Sequence, residues 1–217
     1  VEFVRRWYDL WRERPGTGRR VNSGGAKIVF SDTQTYGRGA ENYRRSGVVD
    51  PLRIPKDGFF AHKVMWDGWV DVENYHTHII GHWNYTPDVR KPVYVVSSGD
   101  AVELFVNGMS MGRKVIDHAH GTELVPHWKV TYEKGYVEAV AYDEAGNELA
   151  RQMRHSFSDA DRLVIEADRR QMENRYGELI FVEIGALDKD GYTVDNANNR
   201  VEIKVTGAGR LVGLDNG

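Results

Sequence analysis

The sequence predicts a multidomain chain, an α/β segment followed by a longer all-β region of sandwich type. Three observations carry this. Before about residue 70, apolar residues recur at helical spacing on both sides of a short, mostly apolar run. Beyond Val70, short alternating runs are separated by turn signals roughly every 8–12 residues. Within that region Asn107-Gly108 stands between two such runs, the dipeptide that a two-residue hairpin turn favours.

The elements follow in order. Phe3, Val4, Trp7, Leu10 and Trp11 share one face of a helix over residues 2–14, which Pro15-Gly16 ends. Ala26-Lys27-Ile28-Val29-Phe30 is short and apolar enough for a strand covered on both faces, as in a parallel sheet. A polar loop runs from Thr33 to about Asp50, and Pro55 then opens a second helix through Phe59, Phe60, Val64 and Trp66. The expected strands are His76–Tyr85, Val93–Ser97, Val102–Val106, Met109–Val115, Val125–Tyr132, Val137–Tyr142 and Glu148–His155. After a polar joint at Ser158-Asp159-Ala160-Asp161 come Leu163–Ala167, Leu179–Leu187, Val201–Thr206 and Leu211–Leu214. Four strands fall short of the roughly seven of an immunoglobulin-like sandwich, so this last unit is incomplete.

Composition narrows the function classes. The chain has 217 residues, a net charge of −3 with its basic residues scattered, and no cysteine. The charge gives no electrostatic footprint for a nucleic acid. The lack of cysteine excludes disulfides, thiolate metal sites and a cysteine nucleophile. No apolar run reaches the roughly 18 residues of a membrane span. Val1 is no initiator, and a helical pattern starts at once, so any targeting segment is expected upstream.

Lys27-Ile28-Val29-Phe30-Ser31-Asp32, Gly39-Ala40-Glu41-Asn42-Tyr43-Arg44-Arg45-Ser46-Gly47 and Arg53-Ile54-Pro55-Lys56-Asp57-Gly58-Phe59-Phe60 are similar to the end of the catalytic barrel of glycoside hydrolase family 2, the β-galactosidase-like enzymes. His76-Thr77-His78-Ile79-Ile80-Gly81-His82-Trp83-Asn84-Tyr85 and Val102-Glu103-Leu104-Phe105-Val106-Asn107-Gly108 resemble its first accessory sandwich, and Gly209 to Gly217 part of the next.

The resemblance implies the C-terminal part of a (β/α)8 TIM barrel at residues 1–69, with its last strand at Ala26–Asp32. An immunoglobulin-like β-sandwich follows at 70–157, and a second, incomplete one at 158–217. It further implies a retaining glycosidase that removes terminal β-linked sugars from a saccharide without a cofactor. In such an enzyme a carboxylic acid and a nucleophilic carboxylate stand about 5–5.5 Å apart. Both glutamates of the family lie on earlier strands, so no catalytic residue is expected in this chain and the chain alone is expected to be inactive. A periplasmic or secreted location is likewise implied. Two other readings stand beside it, a non-catalytic carbohydrate-binding module and a structural array of sandwiches.

Asp32, Arg38, Glu41 and Asn42 are the candidate substrate-binding residues. They fall at the carboxyl end of the presumed last strand, the face where barrels build their sites. Asp32 reads as a sugar contact, as support for one, as a solvated loop carboxylate or as a cap; the others, with Arg44 and Arg45, read also as ion pairs pinning the loop. His76, His78 and His82 fall on one strand face, open to a zinc or a structural reading, with the structural one favoured and no metal expected. Asp188-Lys189-Asp190-Gly191 faintly resembles a calcium loop, but a hairpin turn accounts for it. Trp69 and Trp83 are open to sugar stacking or core burial. The barrel piece, with Trp7, Trp11, Phe59, Phe60 and Trp66 short of cover, is expected either to pack in native form only within a longer parent or to expose an apolar patch, and the first sandwich to be the self-sufficient unit.

Overall fold

A computed structural model of the chain describes residues 2–11, 29–34, 43–70, 74–118, 123–173, 175 and 177–214. The chain forms two compact units, Val1–His155 and Ser156–Gly217.

In the first unit, α1 spans Glu2–Trp11. Val4 and Tyr8, one turn apart, are buried together. Glu2 accepts from Arg5 at 2.7 and 2.9 Å and from Arg6 at 3.0 Å. The hydrogen bonds from Arg5 and then Arg6 lower its carboxyl to about 2. Short strands β1 (Thr33–Gln34) and β2 (Tyr43–Arg44) pair inside the span expected to be loop. Helix α2 spans Asp57–Val64 and runs on as a π-helical turn, Met65–Val70. Ala61, Val64, Met65 and Trp69 are buried at helical spacing.

The all-β part forms two antiparallel sheets. One has three strands in the order β3 (Thr77–Ile79), β4 (Arg90–Ser97), β7 (His127–Thr131). The other has four in the order β6 (Met109–Val115), β5 (Ala101–Val106), β8 (Tyr136–Tyr142), β9 (Glu148–His155). Alternation buries Val102, Leu104 and Val106 of β5 with Val137 and Ala139 of β8. Asn107-Gly108 closes the β5–β6 hairpin with φ of 48° and 81°, the doubly positive pair of a type I′ turn. No helix occurs among the described residues between 90 and 157.

The core is continuous with the helices. Val4, Tyr8, Ala61, Val64, Met65 and Trp69 belong to the same buried cluster as Ile79, Val95, Leu104 and Trp128. Packing therefore does not divide the chain at residue 69, because α1 and α2 lay their apolar faces on the sandwich. Of the aromatics expected to lack cover, Trp66 is half exposed, Trp7, Phe59 and Phe60 are partly buried, and Trp11 lies outside the residues whose side chains are described; Phe3, expected on the buried face, is half exposed.

Two expectations for this unit need correction. The His76–Tyr85 strand shortens to Thr77–Ile79: the Gly81 N–H turns to the Asp57 carboxylate, and Trp83 and Tyr85 pack with Tyr132 from irregular backbone. Ala26–Ile28 lie outside the described residues, and Val29 and Phe30 form no strand, with Phe30 55% exposed. Only Ser31 makes a parallel bridge, to Val49, since a buried parallel strand needs neighbours on both sides.

The second unit pairs β10 (Arg162–Ala167) with β11 (Val182–Leu187) over a small core of Phe157, Ala186 and Val194. Residues 201–206 and 211–214, expected to be strands, join no ladder, and Val201, Ile203, Val205 and Leu211 are exposed. Their alternation has no partner sheet within the unit to bury it. Among the described residues of the chain, no helix is long and apolar enough to cross a membrane.

Candidate functional site

The segment after Gly47 is laid against the backbone of residues 30–32. Val48 N and Val49 N donate to Phe30 O at 2.8 and 3.2 Å, Asp32 N to Val49 O at 3.0 Å, and Lys56 N to Val48 O at 3.0 Å. The Asp50 carboxylate closes the intervening turn by accepting from Ile54 N at 2.7 Å. This brings Asp32, Gly47 and Lys56 together.

Asp32 is 3% exposed. Its Oδ1 accepts from Gly47 N at 2.8 Å and its Oδ2 from Lys56 Nζ. Burial is the largest influence on this carboxyl and pushes its pKa up. The Lys56 ammonium, the Gly47 N–H and the charge of Arg45 outweigh it, and the net shift is downward. A Cβ at Gly47 would lie 2.3 Å from Asp32 N and 2.4 Å from the Ser31 carbonyl carbon, so no other residue fits this approach.

One residue on, the first turn of α2 makes a second connection. Asp57 Oδ1 accepts from His78 Nε2 at 2.8 Å, and Oδ2 accepts from Gly81 N at 2.9 Å. Phe60 stacks on the buried imidazole with centroids 4.2 Å apart. Gln152 of β9 accepts from Ile79 N through Oε1 at 2.6 Å, which turns its amide nitrogen to His78 Nδ1 at 3.1 Å. A donor at Nδ1 leaves the imidazole proton on Nε2, facing Asp57. Burial pushes the Asp57 carboxyl up, and the His78 hydrogen bond leads the influences that bring it down below the usual value.

A third carboxylate, Asp67, accepts from His76 Nε2 at 2.9 Å and Lys63 Nζ at 3.2 Å. Burial raises its pKa and these two partners lower it, with a net fall. Between these groups lies a cavity of about 170 Å³ lined by Phe60, Lys63, Val64, His76, Thr77, His78 and Gln152. It is smaller than the roughly 300–1,000 Å³ of small-molecule sites.

Of the candidate substrate residues, Arg38, Glu41 and Asn42 lie outside the described residues. Asp32 is turned inward to Gly47 and Lys56, and Arg44 donates to Ser46 Oγ at 2.7 Å. His76 and His78 point to different carboxylates, while His82 rests on Tyr85 at 4.5 Å. Among the described residues no three metal-ligating side chains converge. Asp188 is ringed by donors, from Ser158, Asp190 and Tyr192, an arrangement of a turn rather than of a cation site. Trp69 and Trp83 are buried, their indole N–H groups donating to Ser97 O and Glu133 O, so neither offers a face to a sugar. Sequence reasoning missed Lys56, Asp57 and Gln152. Pro55-Lys56-Asp57 carried a helix-start signal and part of the family resemblance but no site reading, and nothing local marks Gln152.

The chain resembles known proteins throughout. Residues 163–217 match the glycoside hydrolase family 2 C-terminal domain 5, and residues 89–150 match a domain of unknown function, DUF4982. A β-galactosidase of Bacteroides ovatus, BoGH2A, is 31% identical over 79% of this chain and 19% of its own length. A β-glucuronidase of Formosa agariphila is 41% identical over 51% of this chain and 11% of its own. Among solved structures, a β-glucuronidase from glycoside hydrolase family 2 superposes with a TM-score of 0.64 at 25% identity, over 88% of this chain and 20% of that one. The chain thus spans about a fifth or less of the relatives it matches, and its β-rich fold is theirs. On these matches the chain belongs to glycoside hydrolase family 2.

Proposed function

We propose that this chain is part of a retaining glycosidase that removes a terminal β-linked galactose or glucuronic acid from a saccharide. Residues 1–69 are then the end of the catalytic barrel, residues 70–157 an accessory sandwich, and residues 158–217 part of a second. The observation that carries this reading is the 31% identity to a β-galactosidase along 79% of the chain.

The catalytic acid and nucleophile are supplied by chain outside these residues, and no cofactor is needed, since the chemistry is carried by paired carboxylates. We assign sugar binding to Arg38, Glu41 and Asn42, and to Asp32 an indirect supporting role, which suits a carboxylate that is buried and already bonded to Gly47 and Lys56.

The test compares this 217-residue chain with the longer gene product, on nitrophenyl β-galactoside and nitrophenyl β-glucuronide. The longer protein is expected to hydrolyse one of them and the chain neither. Turnover by the chain that vanishes on Asp32→Asn would place the catalytic pair inside it and overturn the assignment.

A further inference from the structure

Lys56 and Asp57 are neighbours whose side chains leave the start of α2 in different directions. Lys56, extended at φ −100° and ψ 170°, reaches back to Asp32, while Asp57 reaches His78 and Gly81. Beyond His78 stands Gln152 on β9. Polar groups therefore run without a gap from Gln152 through His78 and Asp57, across one peptide unit, to Lys56, Asp32 and the Gly47 N–H.

The middle of this run is held firmly. His78 is 3% exposed and has Phe60 stacked on it. The Ile79 N–H fixes which way the Gln152 amide points, and the amide in turn fixes which imidazole nitrogen carries the proton. Asp57 thus meets a donor whose position and tautomer are both set from the sandwich. The neighbouring Asp67 pair differs, since its partners His76 and Lys63 lead no further toward Asp32.

We propose that Gln152, His78 and Asp57 are positioning residues: through them the sandwich sets Lys56, and with it Asp32 and the Gly47 segment, at the end of the chain's barrel-like part where the saccharide binds. The inference rests on the glycosidase reading for its site, and on the hydrogen-bond geometry for its mechanism. Contiguity alone does not establish coupling, so the test measures coupling directly.

Amide exchange of Gly47 is followed in the 217-residue chain. Gln152→Ala is expected to speed it roughly three- to tenfold, the range of a modest coupling energy. Gln152→Met, of similar length and without hydrogen-bonding groups, carries the same test where Gln152→Ala does not fold. Gln152→Glu keeps the acceptor for Ile79 N but loses the amide donor to His78 Nδ1, so exchange should stay fast as in Gln152→Ala. In the Lys56→Ala background, Gln152→Ala should add nothing further. Faster exchange at Ile79 with Gly47 unchanged, or additive effects of the two substitutions, overturns the proposal. In the longer enzyme, Gln152→Ala should raise KM for the nitrophenyl glycoside with kcat within about twofold, as expected when binding geometry and not chemistry is disturbed. A fall in kcat at constant KM contradicts it. A longer protein with no hydrolytic activity defeats the glycosidase reading alone, and the Gly47 exchange still decides the positioning.

Discussion

The Asp57 carboxylate meets His78 Nε2 at 2.8 Å and the Gly81 N–H at 2.9 Å, tying the first turn of α2 to the end of β3. The two residues are 21 positions apart, and the imidazole is almost wholly buried. A helix whose N-cap residue, Lys56, makes no capping bond of its own is anchored here instead by the sheet.

Asp57→Ala should therefore destabilise the chain by about 2 kcal/mol, because it leaves a buried imidazole N–H and a loop amide without their acceptor. Urea unfolding followed by tryptophan fluorescence measures this. A change below about 0.5 kcal/mol would mean that water replaces the carboxylate at no cost.

Acid should weaken the fold partly through Asp32. Its pKa is lowered in the folded chain from the ordinary 3.8, so between the two values the unfolded state binds more protons. The stability it contributes is present above pH 3.8 and is lost as pH falls through the folded value. Asp32→Asn is expected to lower stability at neutral pH and to flatten its dependence on pH below about 4. Unfolding midpoints measured across pH 2–6 read both effects, and an unchanged acid slope would remove Asp32 from the account.

Gly47→Ala tests the close approach behind that carboxylate. The new methyl group would meet the backbone of Ser31 and Asp32, which has no flexible end to move aside. A loss of roughly 1–3 kcal/mol is expected, the usual cost of overpacking. Loss of Gly47 amide protection should accompany it.

The β5–β6 turn makes a local prediction. Asn107 accepts from Tyr136 N at 2.8 Å and donates to Lys134 O at 3.2 Å, holding its hairpin against the turn before β8. Asn107→Gly keeps the positive φ but drops both bonds, at a cost of about 1–2 kcal/mol. Asn107→Ala should cost more, since alanine resists the 48° φ as well. Thermal unfolding ranks the three chains, and equal midpoints for the two variants would exclude the backbone contribution.

Local pattern was enough for much of this protein. The helix that buries Val4, the alternation of β5 and β8, and the Asn107-Gly108 turn are properties of a few consecutive residues, and so were legible without a structure. The family resemblance was legible for the same reason, being carried by short runs in order along the chain. Tertiary structure decided what distant residues do to one another. Asp32 lies 15 positions from Gly47 and 24 from Lys56, and His78 lies 74 from Gln152. No periodicity announces such pairs, because each is made by folding separate segments together. The same holds for Trp69 and Trp83, whose burial depends on which sheet covers them. It holds in reverse for residues 201–206, where a good strand pattern finds no sheet within its unit and stays exposed.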